Sequence, residues 1–159
     1  MSFYEKINSN GYEVLFSLVV SNVIAQVLKT IIFAIRNKKT DLRMLFTTGG
    51  MPSSHSSSVT AMATTIGLID GFDSTGFALA CAFSIVVMYD SAGIRRSAGK
   101  QAAVLNRIIN DIFVDEKHQM KEGRLKELLG HSPFEVIAGA LLGILVAILV
   151  HNNILNYVN

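Results

Sequence analysis

The chain has 159 residues and a mass of 17.3 kDa; half of the residues are hydrophobic, only 16% are charged and Trp is absent, against about 25% charged in an ordinary soluble domain. These values exclude a disordered chain, a collagen-like repeat and a disulfide scaffold, and a net charge of +2 argues against a nucleic-acid partner despite a pI near 8.8. With a mean hydropathy of +0.42, the composition fits a small all-α integral membrane protein, read here as a single membrane domain over residues 1–159.

The first apolar stretch, residues 14–35, carries one charge, Lys29. As a helix it would be roughly 33 Å long and could cross a bilayer. Glu5, Lys6 and Glu13 precede it and no small-residue cleavage site follows, so it reads as a span and not as a cleaved signal. Asn22, Gln26 and Lys29, spaced 4 and 3 apart, put polar groups on one of its faces. A cation inside a bundle suggests function, and a snorkelling lysine is the ordinary alternative.

Three shorter stretches follow, at 53–69, 74–89 and 134–150, and the helical rise gives each about 24–26 Å, enough to span with help from neighbours. The expected architecture is therefore four transmembrane helices. Twelve of the 14 basic residues sit in the first and third connections. The positive-inside rule then places those connections in the cytoplasm and both termini outside. Between the third and fourth spans, residues 94–113 repeat Ile, Ala, Leu and Phe at helical spacing, which predicts an amphipathic helix on the bundle or membrane surface. Residues 114–126 are polar and predict a solvated turn, in which His118 has no assigned role. Cys81 lies mid-span and has no partner for a disulfide.

Three clusters carry chemistry. Gly49-Gly50-Met51-Pro52-Ser53-Ser54-His55 leads from a basic loop into a helix. Ser53 or Ser54 can cap that helix, and its free N–H groups suit an anion that His55 could protonate. A serine-rich cap with an incidental histidine fits equally well. At the start of the last span, Ser132-x-x-Glu135 with Pro133 at the first helical position is a capping box, which explains Glu135 completely. Alternatively, Glu135 orients His131 four residues earlier. At the end of the third span, Asp90 and the pair Arg95 and Arg96 can be anchors or phosphate ligands, because guanidinium matches phosphate oxygens in bidentate fashion. On the expected topology His55, Arg95, Arg96, His131 and Glu135 lie at one membrane face, with Lys29 and Arg36 nearby. Two histidines, a carboxylate and several cations suit metal-independent phosphoryl transfer, with one His attacking phosphorus and the other protonating the leaving oxygen. A metal site from His55, Asp90, His131 and Glu135 fits less well, since no pair has metal-motif spacing and the cations would oppose it. No cofactor is expected.

The segments GGMPSSH, MYDSAGIRRSAGKQAAVLN and LKELLGHSPFEV resemble a divergent branch of the type 2 phosphatidic acid phosphatase and vanadium haloperoxidase superfamily, over roughly residues 20–150. Its pattern is K-x6-R-P, then P-S-G-H, then S-R-x5-H-x3-D. Pro52-Ser53-Ser54-His55 matches the second block with Ser54 for Gly, and His131-x3-Glu135 matches the end of the third with Glu for Asp. Lys29-x6-Arg36 has the spacing of the first block, with Asn37 for Pro. Leu125 stands where the third block has Arg; Arg124 is one residue further away, and Arg95 or Arg96 can supply the charge instead.

The resemblance implies His131 as nucleophile, Glu135 as its orienting carboxylate and His55 as general acid. Lys29, Ser53, Ser54, Arg95 and Arg96 would bind phosphate, with Asp90 and Arg36 in support. It also implies a lipid phosphate as substrate, with phosphatidylglycerophosphate the first candidate and phosphatidate and polyprenyl pyrophosphate open. The competing class is a non-catalytic membrane scaffold or transporter component with a relic anion site. Under either reading membrane lipids surround the chain, the cell membrane is the expected location with the site near its cytoplasmic face, and Gly139-x-x-x-Gly143 suits helix packing or a homodimer.

Overall fold

The computed structural model describes residues 3–39, 49–112, 125 and 130–158. The polar turn expected at 114–126, with His118 and Arg124, lies outside the described residues except for Leu125. Among the described residues six helices follow in order: α1 (Phe3–Ile7), α2 (Gly11–Asn37), α3 (Ser54–Asp70), α4 (Thr75–Ala92), α5 (Ile94–Ile112) and α6 (Pro133–Val158). No strand occurs among the described residues. Each expected helix forms. The caps are side chains that satisfy the first free N–H groups: Asn10 accepts from Tyr12 N–H, Ser53 from Ser56 N–H and Ser74 from Phe77 N–H.

Three stretches are long and apolar enough to cross a membrane: α2, the Thr75–Asn110 stretch that contains α4, and α6. The fourth expected span, α3, has only 17 residues, and its role differs. It is the central helix, packed against α2, α4 and α6. Shielded from lipid on most of its circumference, it has no need of a continuous apolar surface. Its buried positions are mainly Ser, Thr, Ala and Gly, and these small side chains let neighbouring backbones approach closely.

The buried hydroxyls are satisfied locally or across helices. Thr60 Oγ1 donates to the carbonyls of Ser56 (2.8 Å) and Ala140 (3.0 Å), and Thr65 Oγ1 to that of Ala61 (2.9 Å). Ser21 and Ser57 join α2 to α3 through their hydroxyls. Asn22 Nδ2 donates to Ser58 Oγ at 2.9 Å, and Ser84 Oγ of α4 to the Val59 carbonyl at 2.9 Å.

The glycine pair of α6 packs inside this chain. A Cβ on Gly139 would sit 2.3 Å from the Ser53 carbonyl oxygen, and one on Gly143 2.1 Å from Thr60 Oγ1. The face that suits a second copy of the chain is therefore already filled by α3.

Two elements have no counterpart in the sequence expectations. Helix α1 is too short for a periodic signal, and α6 runs two turns past residue 150 through polar residues. They stabilise each other. Ile154 is buried, Tyr4 and Tyr157 stack with centroids 4.4 Å apart, and both helices close the end of the bundle remote from His55.

Candidate active site

The buried face of α2 repeats every four residues: Glu13, Ser17, Ser21, Ala25 and Lys29. It ends in Lys29, whose side chain is almost completely enclosed and whose stem runs past the backbone at Gly50. The glycine-rich loop thus passes over a buried cation just before α3 begins. Arg36, two turns further on, is exposed on the last turn of α2.

The start of α3 is fixed by its neighbours. Ser53 N–H donates to the Glu135 carbonyl at 3.0 Å, which ties the beginning of α3 to the first turn of α6. Ser53 is buried and its hydroxyl is the N-cap. Ser54 is buried as well. Neither belongs to the cleft described below, although both were expected to bind phosphate. His55 is exposed, whereas the serines around it are buried.

Residue 131 is held from two sides. His131 N–H donates to the Ser91 carbonyl at the end of α4 at 3.0 Å. Just before it, Gly130 has φ +82, and a Cβ there would lie 2.4 Å from the Arg96 amide nitrogen. Only glycine lets this loop sit on the backbone of α5. The Arg96 side chain is exposed and outside the cleft; its backbone is the part that meets the loop.

Glu135 performs both roles that its spacing permits. Its Oε2 accepts from Ser132 N–H at 3.1 Å, and Ser132 Oγ accepts from Glu135 N–H at 3.3 Å, which completes the capping box. The same Oε2 lies 3.2 Å from His131 Nδ1. Cap and orienter are therefore one carboxylate. With Nδ1 facing a carboxylate, the ring carries its proton there and leaves the Nε2 lone pair available.

His55 and His131, from the starts of different helices, face each other with ring centroids 6.2 Å apart. They line one cleft with Val87, Asp90, Ser91, Arg95 and Gly130. Arg95 Nε donates to Asp90 Oδ2 at 2.6 Å, so the guanidinium is aimed by a carboxylate while its terminal nitrogens are not used by that bond. Burial holds the His131 imidazole below its ordinary value of 6.5, with Lys29 and His55 acting in the same direction; the hydrogen bond and charge of Glu135 oppose them. The ring is thus neutral near pH 7, the form in which a histidine is nucleophilic.

The cleft brings together His55, His131, Asp90 and Arg95, with Glu135 bonded to His131; Lys29 does not line it but is near enough for its charge to act on His131. Val87 and the Ser91 carbonyl belong to the cleft without any sequence signal, since only the folding of 130–131 onto α4 shows them. Among the described residues no three His, Cys, Asp or Glu side chains gather to hold a metal ion.

The divergent PAP2 family matches residues 11–146. The chain is also 42% identical over 143 residues to the uncharacterized membrane protein YuiD of Bacillus subtilis, covering 84% of this chain and 90% of that one. No solved structure matches.

Proposed function

The chain belongs to the divergent PAP2 family, and from that premise we propose that it is an integral membrane phosphatase that hydrolyses a lipid phosphate monoester through a phosphohistidine. The observation that carries this reading is the pairing of His131, backed by Glu135, with His55 across a cleft that Arg95 also lines.

In the proposed reaction the phosphate sits between the two rings. Arg95, and Lys29 from below, balance the charge of its oxygens. The Nε2 lone pair of neutral His131 attacks phosphorus. The bond from phosphorus to the lipid oxygen breaks, and that oxygen takes a proton from protonated His55. Water then attacks the phosphohistidine and gives its proton to His55. The phosphorus–nitrogen bond breaks, orthophosphate leaves, and both histidines return to their starting states. No step needs a metal ion. The basic connections support a reading in which this cleft faces the cytoplasm at the cell membrane, where phosphatidylglycerophosphate, phosphatidate or polyprenyl pyrophosphate would reach it and the whole chain would act as one membrane domain.

The test is phosphate release by detergent-purified protein from these three lipids with EDTA present. Release that persists in EDTA is expected. No release from any of the three, or release that EDTA abolishes, overturns the mechanism.

A further inference from the structure

Although α3 is buried on most sides, one of its faces is open. His55, Met62, Ile66 and Ile69 follow at intervals of 7, 4 and 3, so they share one stripe. His55 is exposed and the other three are half-buried. Around its first turns the other faces are taken: Ser57 and Ser58 meet α2 through Ser21 and Asn22, Thr60 meets the Ala140 carbonyl of α6, and the Val59 carbonyl accepts from Ser84 of α4.

The open stripe lies between α2 and α4. Among the described residues, no Cα of α2 comes within 8 Å of a Cα of α4. The two helices therefore form the walls of a slot whose floor is α3. On the α4 wall Gly76, Phe83, Val87 and Asp90 repeat the same 7, 4 and 3 spacing. Gly76 lies beside Ile66, and Val87 and Asp90 line the cleft with His55. The slot is thus continuous with the candidate active site at one end. On the α2 wall Gln26 lies one turn beyond Asn22 toward Lys29, and its Oε1 has no hydrogen-bond partner among the described residues. That leaves one polar group near the cleft, and Met62, Ile66 and Ile69 beyond it.

We propose that this slot takes one hydrocarbon chain of the lipid whose phosphate occupies the cleft, a reading that rests on the phosphatase function above. The floor from His55 to Ile69 is about 21 Å long at the helical rise. One leaflet's share of a roughly 30 Å hydrocarbon core is about 15 Å, so the slot can accept a chain along the full depth of its own leaflet. It is walled by two helices apolar enough to span the bilayer, so the medium outside it is lipid and a bound lipid need not leave the membrane. The chain in the slot anchors the substrate while its phosphate lies between His55 and His131, which makes Met62, Ile66 and Phe83 determinants of preference for long-chain substrates.

Two measurements test this. In the first, Ile66→Trp fills the slot. The ratio of kcat/KM for a long-chain phosphatidate to that for a water-soluble aryl phosphate is expected to fall about tenfold. An unchanged ratio overturns the proposal. The second needs binding only. A phosphatidate with a diazirine at the end of one acyl chain is photolysed with the His131→Ala protein in micelles and the labelled residues are mapped. Labels on Met62, Ile66 or Phe83 are expected, absent with the matching diacylglycerol and removed by excess inorganic phosphate. Identical labels from both lipids, or labels confined to outward residues such as Ile85 and Ile144, overturn it. A protein that shows the phosphate-dependent labels but never releases phosphate would defeat the phosphatase reading and leave the slot standing. Turnover without those labels would do the reverse.

Discussion

Among the described residues the bundle holds two histidine–glutamate pairs, one near each end, and their surroundings differ in every respect that matters for chemistry. His131 and Glu135 are four residues apart; the ring lines a cleft shared with His55 and Arg95, and the carboxylate meets its Nδ1. His151 and Glu13 are 138 residues apart, with Nδ1 2.6 Å from Oε1. Glu13 is completely buried, and its other oxygen accepts from Ser9 N–H at 2.7 Å. That second pair is closed over by α1, through the stacking of Tyr4 on Tyr157. The same two residue types thus act as a reactive unit where a second histidine and an arginine converge on an opening, and as a brace where the chain covers them.

The contrast is sharpest in the removal of each imidazole. His131→Ala deletes the nucleophile and should lower kcat by roughly 10⁴-fold or more, as loss of one member of a concerted catalytic set does. Residual turnover within about tenfold of the parent would place the nucleophile elsewhere. The next largest effect belongs to Glu135→Gln, which weakens both functions of one oxygen. Cap loss costs about 1 kcal/mol of stability, while the loss of orientation should reduce kcat by up to about 10⁴-fold. Glu135 also raises the proton affinity of His131, so in this variant the acid limb of kcat/KM should move to lower pH even as the maximum falls. A limb that moves upward would contradict the pairing.

Gly139→Ala acts without touching either ring. The added Cβ meets the Ser53 carbonyl and pushes the beginning of α6 away from that of α3, which changes the separation of His131 from His55. A displacement of about 1 Å can cost about 10²-fold in turnover. The expected signature is a fall in kcat for soluble and lipid substrates alike, unlike a block in the slot.

The proton inventory adds a smaller effect. In the folded protein burial lowers His131 from its ordinary 6.5, so between that lowered value and 6.5 the unfolded chain binds more protons than the folded one. Stability should therefore rise with pH through this window and be complete above 6.5. Thermal unfolding in detergent across this range should show the rise in the parent and a reduced one in His131→Ala.

Local spacing explains what the sequence could disclose. Ser132-x-x-Glu135, His131-x3-Glu135 and the approach to Ser53 are relations within a turn or two, so cap and orienter could both be named in advance. Asp90 and Arg95 reach the cleft from α4 and α5, on the membrane face to which the order of the spans assigns them. Ser53 and Ser54 were harder to place, because a hydroxyl at a helix start serves an anion or its own backbone according to what packs over it, and here α6 packs over Ser53. Helix α3 is hard to read for a related reason: a window of Ser, Thr and Ala is marginal as a membrane helix by composition, and only the fold shows how far its partners enclose it. Nothing local pairs Glu13 with His151. That contact needs the whole length of α2 and α6 laid side by side, with α1 folded across their ends.

The brace is where the comparison can be broken with the smallest change in turnover. His151→Ala leaves Glu13 buried with one oxygen unpartnered, and breaking a buried pair on one side costs about 3 kcal/mol. The unfolding temperature in detergent should therefore drop clearly. The cleft lies at the other end of the bundle, and its geometry depends on contacts among residues 53, 91, 96 and 130–135, none of which His151 makes. At a temperature where both proteins are folded, kcat should stay within about twofold of the parent, since effects at distant sites with no shared partners are independent. A large loss of kcat in a protein that remains folded would show that the two pairs communicate along the buried polar face of α2, from Glu13 to Lys29, and the two ends could then no longer be treated as separate regions.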